Sequence, residues 1–335
     1  MTLSIRPIWI GTGSLILLLL LILVAVSFYF YHVAIKRNSK AFLSDNADLA
    51  QVQGSNSTDN LIAEAFPEKI QPTPVEPMGV EWVESQEYET WHLKSDDGLA
   101  LVGYYLAAKA PTTRAVILAH GYSSQGKDMG SIAKLYYEKL GYHVLMPDDR
   151  GHGGSEGDYI GFGWPDRKDY LLWIRKVVEV VGDRAQIVLH GISMGGATVM
   201  MVSGEDVPKQ VKAIVEDCGY TSVHDQLLYQ LKRIYKLPAF PILPATSLLT
   251  RLKAGYHFNE ASALSQLKKN KLPMLFIHGA EDTFVPTEMV WKLYEACTAE
   301  KEIYIVADAG HGMAYATDKQ TYEQKVTGFI GRYMA

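Results

Sequence analysis

Cysteine is nearly absent: the 335 residues hold two, Cys218 and Cys297, far apart and outside any CxxC spacing. Neither a zinc site nor a disulfide framework follows from such a pair, and both are expected to be packing residues. An excess of positive charge is missing too. The net charge is -5, without the basic balance that a nucleic-acid surface needs. No internal repeat is visible, so the chain is not read as a repeat array. The absence with the widest consequence is local: from Ile8 to Ile35 there is no Asp, Glu, Lys or Arg.

That uncharged stretch contains LILLLLLILVAV at 15–26. A run of roughly 20 apolar residues crosses a bilayer core, and one without a polar face is no amphipathic surface helix. Trp9 at one end and Phe28, Tyr29, Phe30 and Tyr31 at the other are expected in the interfacial belts. A cleavable signal peptide is the rival reading, but its apolar part is about 7–15 residues and ends at a small-x-small site. Here the run passes into bulky aromatics. The expectation is a membrane protein with a flank at 1–7 and an uncleaved single-pass anchor at 8–35. Arg6 before the span and Lys36, Arg37 and Lys40 after it favour a cytoplasmic C-terminal domain. A large domain is exported against so small a difference, so either side stays open.

Residues 36–80 are rich in Ser, Asn, Asp, Gln and Pro and read as a polar linker, with a short helix near Leu61–Phe66. Asn56-Ser57-Thr58 fits a glycosylation sequon but reads as a chance match. Beyond this the composition, 48% hydrophobic and 21% charged, is that of a chain with a full core.

Residues 81–335 alternate two periodicities. Tyr88–Lys94 and Leu99–Ala107 flank Asp96-Asp97-Gly98 and predict an antiparallel hairpin. Short strand-like runs follow at Ala115–Ala119, His143–Met146, Ile187–Leu189, Val211–Val215, Met274–Ile277 and Ile303–Val306. Helices are expected near 130–140, 165–181, 194–204, 287–298 and 317–334; in the second, Tyr170, Trp173, Ile174 and Val177 make one apolar face. Such alternation implies an α/β fold with a mostly parallel, doubly wound sheet, whose site lies at the carboxyl ends of the strands. Residues 223–271 break the pattern. Leu227, Leu228, Leu231, Ile234 and Tyr235 form one helical face, and Leu248, Leu249 and Leu252 another, which predicts a helical cap insertion; an ordinary crossover is the alternative.

The chemistry gathers where strands end. A buried strand runs into Gly191-Ile192-Ser193-Met194-Gly195-Gly196, the G-x-S-x-G of a nucleophile elbow when strand precedes and helix follows. A serine hydroxyl needs a base, itself oriented by an acid, and in this setting the order is Ser, acid, His. Asp282 and His311 each fall just past a strand end in that order. Asp282 is favoured over Asp217 and Glu281 as the acid. Of the other histidines, His32 lies in the anchor, His92, His143, His224 and His257 lie off the active edge, and His152 precedes the serine. His120, His190 and His278 each close a strand before a glycine and are expected to hydrogen-bond within the structure. Backbone N–H groups of Met194 and Tyr122 are the expected oxyanion hole, with the Tyr122 ring near the acyl pocket. Asp149–Gly157 (DRGHGGSEG) reads as a loop locked by Asp and Arg, because it lacks the lysine and spacing of a phosphate loop.

HGY, DRGHGGSEG, GISMGG, HGAEDTFVP and GHG in this order resemble the α/β-hydrolase superfamily over residues 81–335. More narrowly the chain resembles bacterial membrane-anchored serine hydrolases, the cell surface hydrolase and serine aminopeptidase-like group, and is similar to fluorophosphonate-binding lipid esterases. The resemblance implies an α/β-hydrolase fold and carboxylesterase or lipase activity on short to medium acyl or lipid esters. It implies no cofactor, and no metal is expected. A peptidase or amidase and an acyltransferase are the alternatives with the same triad, and a non-catalytic membrane scaffold is the rival of another class. The apolar cap and the anchor together lead to an expected hydrophobic ester substrate, with the lipid bilayer as partner through the N-terminal helix.

Overall fold

Runs of Val, Ile and Leu become parallel strands here because both of their faces are covered. Ile117, Leu189, Ile214 and Phe276 enter one buried cluster, and their neighbours Val116, Leu118, Val188, Ala213, Val215, Leu275 and Ile277 enter the other. That is period-two alternation between two helical layers. The computed structural model describes residues 6–38, 40 and 79–334; the sequon and the helix expected near Leu61–Phe66 lie outside the described residues.

In chain order the elements are α1 (Arg6–Phe30), which ends in one wide turn (Tyr31–Ile35), then α2 (Gly79–Glu84), β1 (Glu89–Lys94), β2 (Ala100–Leu106) and β3 (Arg114–Ala119). α3 (Gly130–Lys134), β4 (His143–Pro147), α4 (Asp166–Val181), β5 (Gln186–Ile192), α5 (Met194–Val202) and β6 (Val211–Asp217) follow. The cap helices are α6 (Val223–Tyr235), α7 (Ile242–Ala254) and α8 (Ala263–Leu267). β7 (Met274–Gly279), α9 (Glu288–Ala296), β8 (Lys301–Val306), α10 (Ala314–Thr317) and α11 (Lys319–Ile330) complete the chain.

The sheet order is β1-β2-β4-β3-β5-β6-β7-β8. β1–β2 and β2–β4 are antiparallel and every later pair is parallel. From β3 the chain goes to β4 on one side and returns to β5 on the other. This reversal opens a crevice at the carboxyl ends of β3 and β5.

Two expected helices differ. The one near 130–140 stops at Lys134 and continues as a wide turn, Leu135–Lys139, in which Leu135, Tyr136 and Tyr137 are all buried. Three consecutive side chains cannot share one face of a regular helix. In the cap, Leu248 and Leu252 are exposed, and α7 buries Leu243, Thr246, Thr250 and Ala254 instead. Thr246, Thr250 and Ala254 recur every four positions along this buried face, and α7 packs against α1.

α1 is long and apolar enough to cross a bilayer: Gly13–Ile35 spans 23 residues, about 34 Å at 1.5 Å per residue. Leu15 to Leu21 each keep more than half their surface exposed. The end of this segment, in contrast, is built into the domain. Phe30 meets the Tyr235 ring edge-on at 5.0 Å, and Lys253 lies over the rings of Phe28 and Tyr31. Residues expected to begin the linker are docked as well. Lys36 pairs with Tyr159 in an antiparallel bridge, and the Arg37 guanidinium donates to the carbonyls of Ser155 and Gly153, both at 2.7 Å.

Candidate active site

β5 ends one residue before Ser193, and α5 begins one residue after it. Between them the backbone makes a turn that puts Ser193 at φ 58°, ψ −115°. A non-glycine residue in that region costs on the order of 1–3 kcal/mol, and it persists because its surroundings leave no alternative. Ser193 N–H donates to the Asp217 carbonyl at 2.7 Å. A side chain at Gly191 would strike the Gly195 carbonyl, and one at Gly195 the Ala119 carbonyl. The turn therefore admits glycine on both sides of the serine.

The loops after β7 and β8 bring two further groups to this point. His311 Nε2 lies 2.8 Å from Ser193 Oγ, and His311 Nδ1 lies 2.6 Å from Asp282 Oδ2. Asp282 Oδ1 accepts the N–H groups of Phe284 and Val285 at 2.9 and 2.8 Å. Burial opposes ionisation of Asp282, but the charge of His311 and bonds from His278 and His311 outweigh it and hold the carboxyl well below the usual range. Ser193, Asp282 and His311 are all buried. The other two candidate acids are elsewhere: Glu281 is exposed, and Asp217 Oδ2 accepts from the Tyr322 hydroxyl at 3.0 Å. Burial raises Asp217 to about 6.

Met194 opens α5, where a backbone N–H has no intrahelical acceptor. Tyr122 follows β3, and an added side chain on its neighbour Gly121 would sit 3.6 Å from Ser193 Cβ. Met194 thus adjoins the serine in sequence, and the backbone just before Tyr122 passes beside it. The loop carrying Tyr122 is held by His152, whose Nε2 accepts the Ser123 N–H at 3.3 Å while Nδ1 faces the Arg150 carbonyl at 3.1 Å. Burial keeps His152 well below its ordinary value, in the neutral form that can accept. His120 Nε2 accepts the Asp149 N–H at 3.0 Å and stands edge-on to His152. Arg150 anchors the second loop with paired bonds to Asp169, both 2.8 Å, and an ion pair to Asp97 at 2.7 Å.

Sequence reasoning set His152 aside because it precedes the serine and missed its bond to Ser123 N–H, and it missed that His278 touches Asp282, 3.3 Å away. The His-x-x-x-Asp spacing at 278–282 was the available signal. Cys218 was read as packing; its sulfur lies within 4.8 Å of the Asp282 and His311 ligand atoms. Both Asp282 oxygens are already engaged, and burial together with the Asp217 and Asp282 charges raises the thiol well above its ordinary value.

Ser193 opens into a cavity with an empty volume of about 850 Å³, part of it open to solvent. Its walls are Leu227, Leu231, Ile234 and Tyr235 of α6, Leu243 and Thr246 of α7, the rings of Tyr122, Phe162 and Phe258, and Phe30, Val33, Ala34 and Ile35 from the end of the N-terminal segment. No Asp, Glu, Lys, Arg or His lines it among the described residues. Gln226 and Gln230 both donate to the Phe284 carbonyl, at 2.9 and 2.7 Å.

A model of the prolyl oligopeptidase family matches residues 128–335. Among curated relatives, the uncharacterized protein YqkD of Bacillus subtilis is 29% identical over 247 residues, 74% of this chain and 80% of that one. Protein bem46 of Schizosaccharomyces pombe is 25% identical, over 65% of this chain and 68% of its own. Among solved structures, a Pyrococcus furiosus esterase superposes with TM-score 0.61 at 23% identity, covering 79% of this chain and 98% of that one. An acylaminoacyl peptidase of Pyrococcus horikoshii gives 0.58 at 20%, covering 74% and 42%. The likeness to both establishes the α/β-hydrolase fold.

Proposed function

The chain belongs to the prolyl oligopeptidase family, a hydrolase of the esterase and peptidase type, and from that premise we propose that it is a membrane-anchored serine esterase for hydrophobic acyl esters. In this reading His311, oriented by Asp282, takes the Ser193 proton as Oγ attacks the ester carbonyl. The N–H groups of Met194 and Tyr122 receive the oxyanion. The tetrahedral intermediate collapses, the C–O bond to the alcohol breaks, and His311 returns its proton to the leaving oxygen. A water deprotonated by His311 then releases the acid and regenerates Ser193.

One observation carries the ester reading: the serine faces a cavity with no Asp, Glu, Lys, Arg or His in its walls among the described residues. A peptidase that selects a free amino or carboxyl terminus needs a charge to receive it. The cap supports a bilayer partner. From Gln226 to Asn259 it holds Lys232, Arg233, Lys236, Arg251 and Lys253 and no Asp or Glu. Around them Phe240, Leu248 and Leu252 are 78%, 55% and 76% exposed. Cations beside exposed apolar side chains suit an interface with anionic lipid.

The test is labelling of the full-length protein in detergent with a fluorophosphonate, beside Ser193→Ala and His311→Ala, followed by turnover of acyl esters and aminoacyl amides. Labelling confined to wild type, with kcat/KM at least about 100-fold higher on octanoyl esters than on aminoacyl amides, is the expected result. Preferential cleavage of the amides would replace it with the peptidase reading. Transfer of the acyl group to an alcohol in place of water would make the protein an acyltransferase.

A further inference from the structure

The end of the N-terminal segment does more than hold the domain near a membrane. A tether needs only length and flexibility, yet Tyr31–Ile35 is fixed from several sides. Its wide turn closes with Lys36 N–H on the Tyr31 carbonyl at 2.9 Å, five residues back. Wide turns of this kind are rare and concentrate at functional sites. The Tyr122 hydroxyl donates to the Ala34 carbonyl at 2.8 Å. The buried Lys40 amine donates to the carbonyls of Val33 and Lys36 at 2.9 and 2.7 Å. Ile160 N–H reaches the Ile35 carbonyl at 2.7 Å, and Arg37 N–H reaches Asp158 at 2.8 Å.

The bonds from Tyr122 and Ile160, and that of Arg37 to Asp158, tie the turn to loops that already serve the site, while those of Lys36 and Lys40 close the segment on itself. Tyr122 belongs to the oxyanion loop, and residues 151–160 continue the loop that carries His152. Pinned this way, Phe30, Val33, Ala34 and Ile35 present their side chains to the cavity into which Ser193 opens. α6 lines the same cavity with Leu231, Ile234 and Tyr235, and the rings of Phe30 and Tyr235 meet edge-on at 5.0 Å. A chain attached to an acyl group on Ser193 would enter this cavity, of which the turn supplies one part of the lining.

We propose that the segment Phe30–Ile35, the turn with the last residue of α1, is a specificity element of the active site, the wall that sets how long an acyl chain the enzyme accepts. Val33 is the residue best placed to reveal it. It is half-buried and lines the cavity, and unlike Tyr122 or Lys40 its side chain makes no hydrogen bond. The proposal rests on the acyl-enzyme reading of the same site, and its test separates the two.

The experiment measures inactivation rates of the full-length protein in nanodiscs by a series of alkyl fluorophosphonates from ethyl to dodecyl. These probes react with the serine directly, so the readout needs neither an ester nor a peptide substrate. Val33→Trp fills the cavity and Val33→Ala widens it. Val24→Trp, on the exposed part of α1, is the control. The long-to-short rate ratio is expected to fall about tenfold or more in Val33→Trp, to rise about threefold in Val33→Ala, and to match wild type in Val24→Trp. Ratios within twofold of wild type for both Val33 variants would overturn the proposal and leave the serine-hydrolase reading standing. If Val33→Trp no longer reacted even with the ethyl probe, Val33→Ala alone decides, by the same criterion. If wild type reacted with none of the series, both readings would fall together.

Discussion

His278 Nε2 stands 3.3 Å from Oδ2 of Asp282, the oxygen that also receives Nδ1 of His311 at 2.6 Å. Nε2 of His278 also donates to the Val285 carbonyl at 2.9 Å, and its Nδ1 has no hydrogen-bond partner. Burial works against a charged ring, but the bond to Asp282 and its negative charge prevail and raise His278 above its ordinary value. The acid of the proposed triad is therefore shared, and the second ring competes for it once it takes up a proton.

Replacing His278 with Gln keeps a donor for Val285 and removes the competing charge. A positive ring beside Asp282 weakens its hold on a protonated base, so its removal lets the dyad keep a proton to higher pH. The acid limb of kcat/KM is expected to move up in pH, while the plateau near pH 8 changes by less than about threefold. Because coupled groups titrate as a unit, the whole profile is the measurement. A limb that stays in place would show that His278 only packs.

The assignment of the acid is tested by a matched pair. Asp282→Asn should lower kcat by about 10³–10⁴ with little change in KM, since a wrongly oriented base loses its role in the transition state. Asp217→Asn should cost less than about tenfold, because that carboxyl is bonded to Tyr322 and lies outside the relay. The reverse order would move the catalytic acid to β6.

His152 gives a prediction about positioning. As a neutral acceptor it holds Ser123 N–H, one residue from the proposed oxyanion donor Tyr122. His152→Ala frees that loop and is expected to reduce kcat about 10–100-fold while KM changes less than threefold. Loss of one oxyanion donor is worth about 10²–10³, and a loosened donor should cost less. His152→Gln, which still offers an acceptor, should recover much of the rate. An Ala variant as active as wild type would sink the idea.

The sheet, the helices of its layers and the order of the site residues were legible because each rests on local pattern: period-two runs, an apolar helical face, glycines flanking Ser193. What was not legible depends on contacts far apart in sequence. Phe28 to Tyr31 read as an aromatic belt, and nothing local says that Phe30 meets Tyr235 or that Ala34 receives the Tyr122 hydroxyl. Leu248, Leu249 and Leu252 have helical spacing, yet only Leu249 packs; Leu248 and Leu252 are exposed, and Leu243, Thr246, Thr250 and Ala254 are buried instead. Glycosylation at Asn56 and the structure of most of 36–80 lie outside the described residues.

Buried carboxyls make stability depend on pH in a defined direction. Glu216 is fully buried; one oxygen accepts Gly219 N–H at 3.0 Å and the other has no partner. Burial raises it from 4.5 to about 8, and Asp149 and Asp166 from 3.8 to about 8. The folded state therefore keeps protons that the unfolded chain sheds. These groups contribute their full stability below about pH 4, and lose it as pH rises through about 8. Tm is expected to fall between pH 6 and pH 9. Glu216→Gln, which cannot ionise, should gain at least about 2 °C relative to wild type over that interval. A constant difference between the two curves would mean that Glu216 is already ionised in the folded protein.

The cap gives the last prediction. Phe240, with 78% of its surface exposed, precedes α7, and α7 packs against the segment read as the anchor. If α1 crosses the bilayer, the exposed face of α7 cannot be far from the headgroups, and five cations without a carboxylate over 226–259 favour an anionic surface. Both native cysteines are buried, so Phe240→Cys can be labelled selectively with a polarity-sensitive fluorophore. In nanodiscs containing phosphatidylglycerol its emission is expected to shift to the blue relative to detergent, and to be quenched by lipids carrying a quencher near the headgroup. The same label at Glu295→Cys, on the exposed side of α9, should do neither. High salt should weaken the shift at Phe240→Cys without abolishing it, because the charge attraction is screened within about 10 Å at 0.1 M while apolar insertion is not. An emission at position 240 indistinguishable from that at 295 would separate the cap from the membrane and leave α1, among the described residues, as the part read to contact lipid.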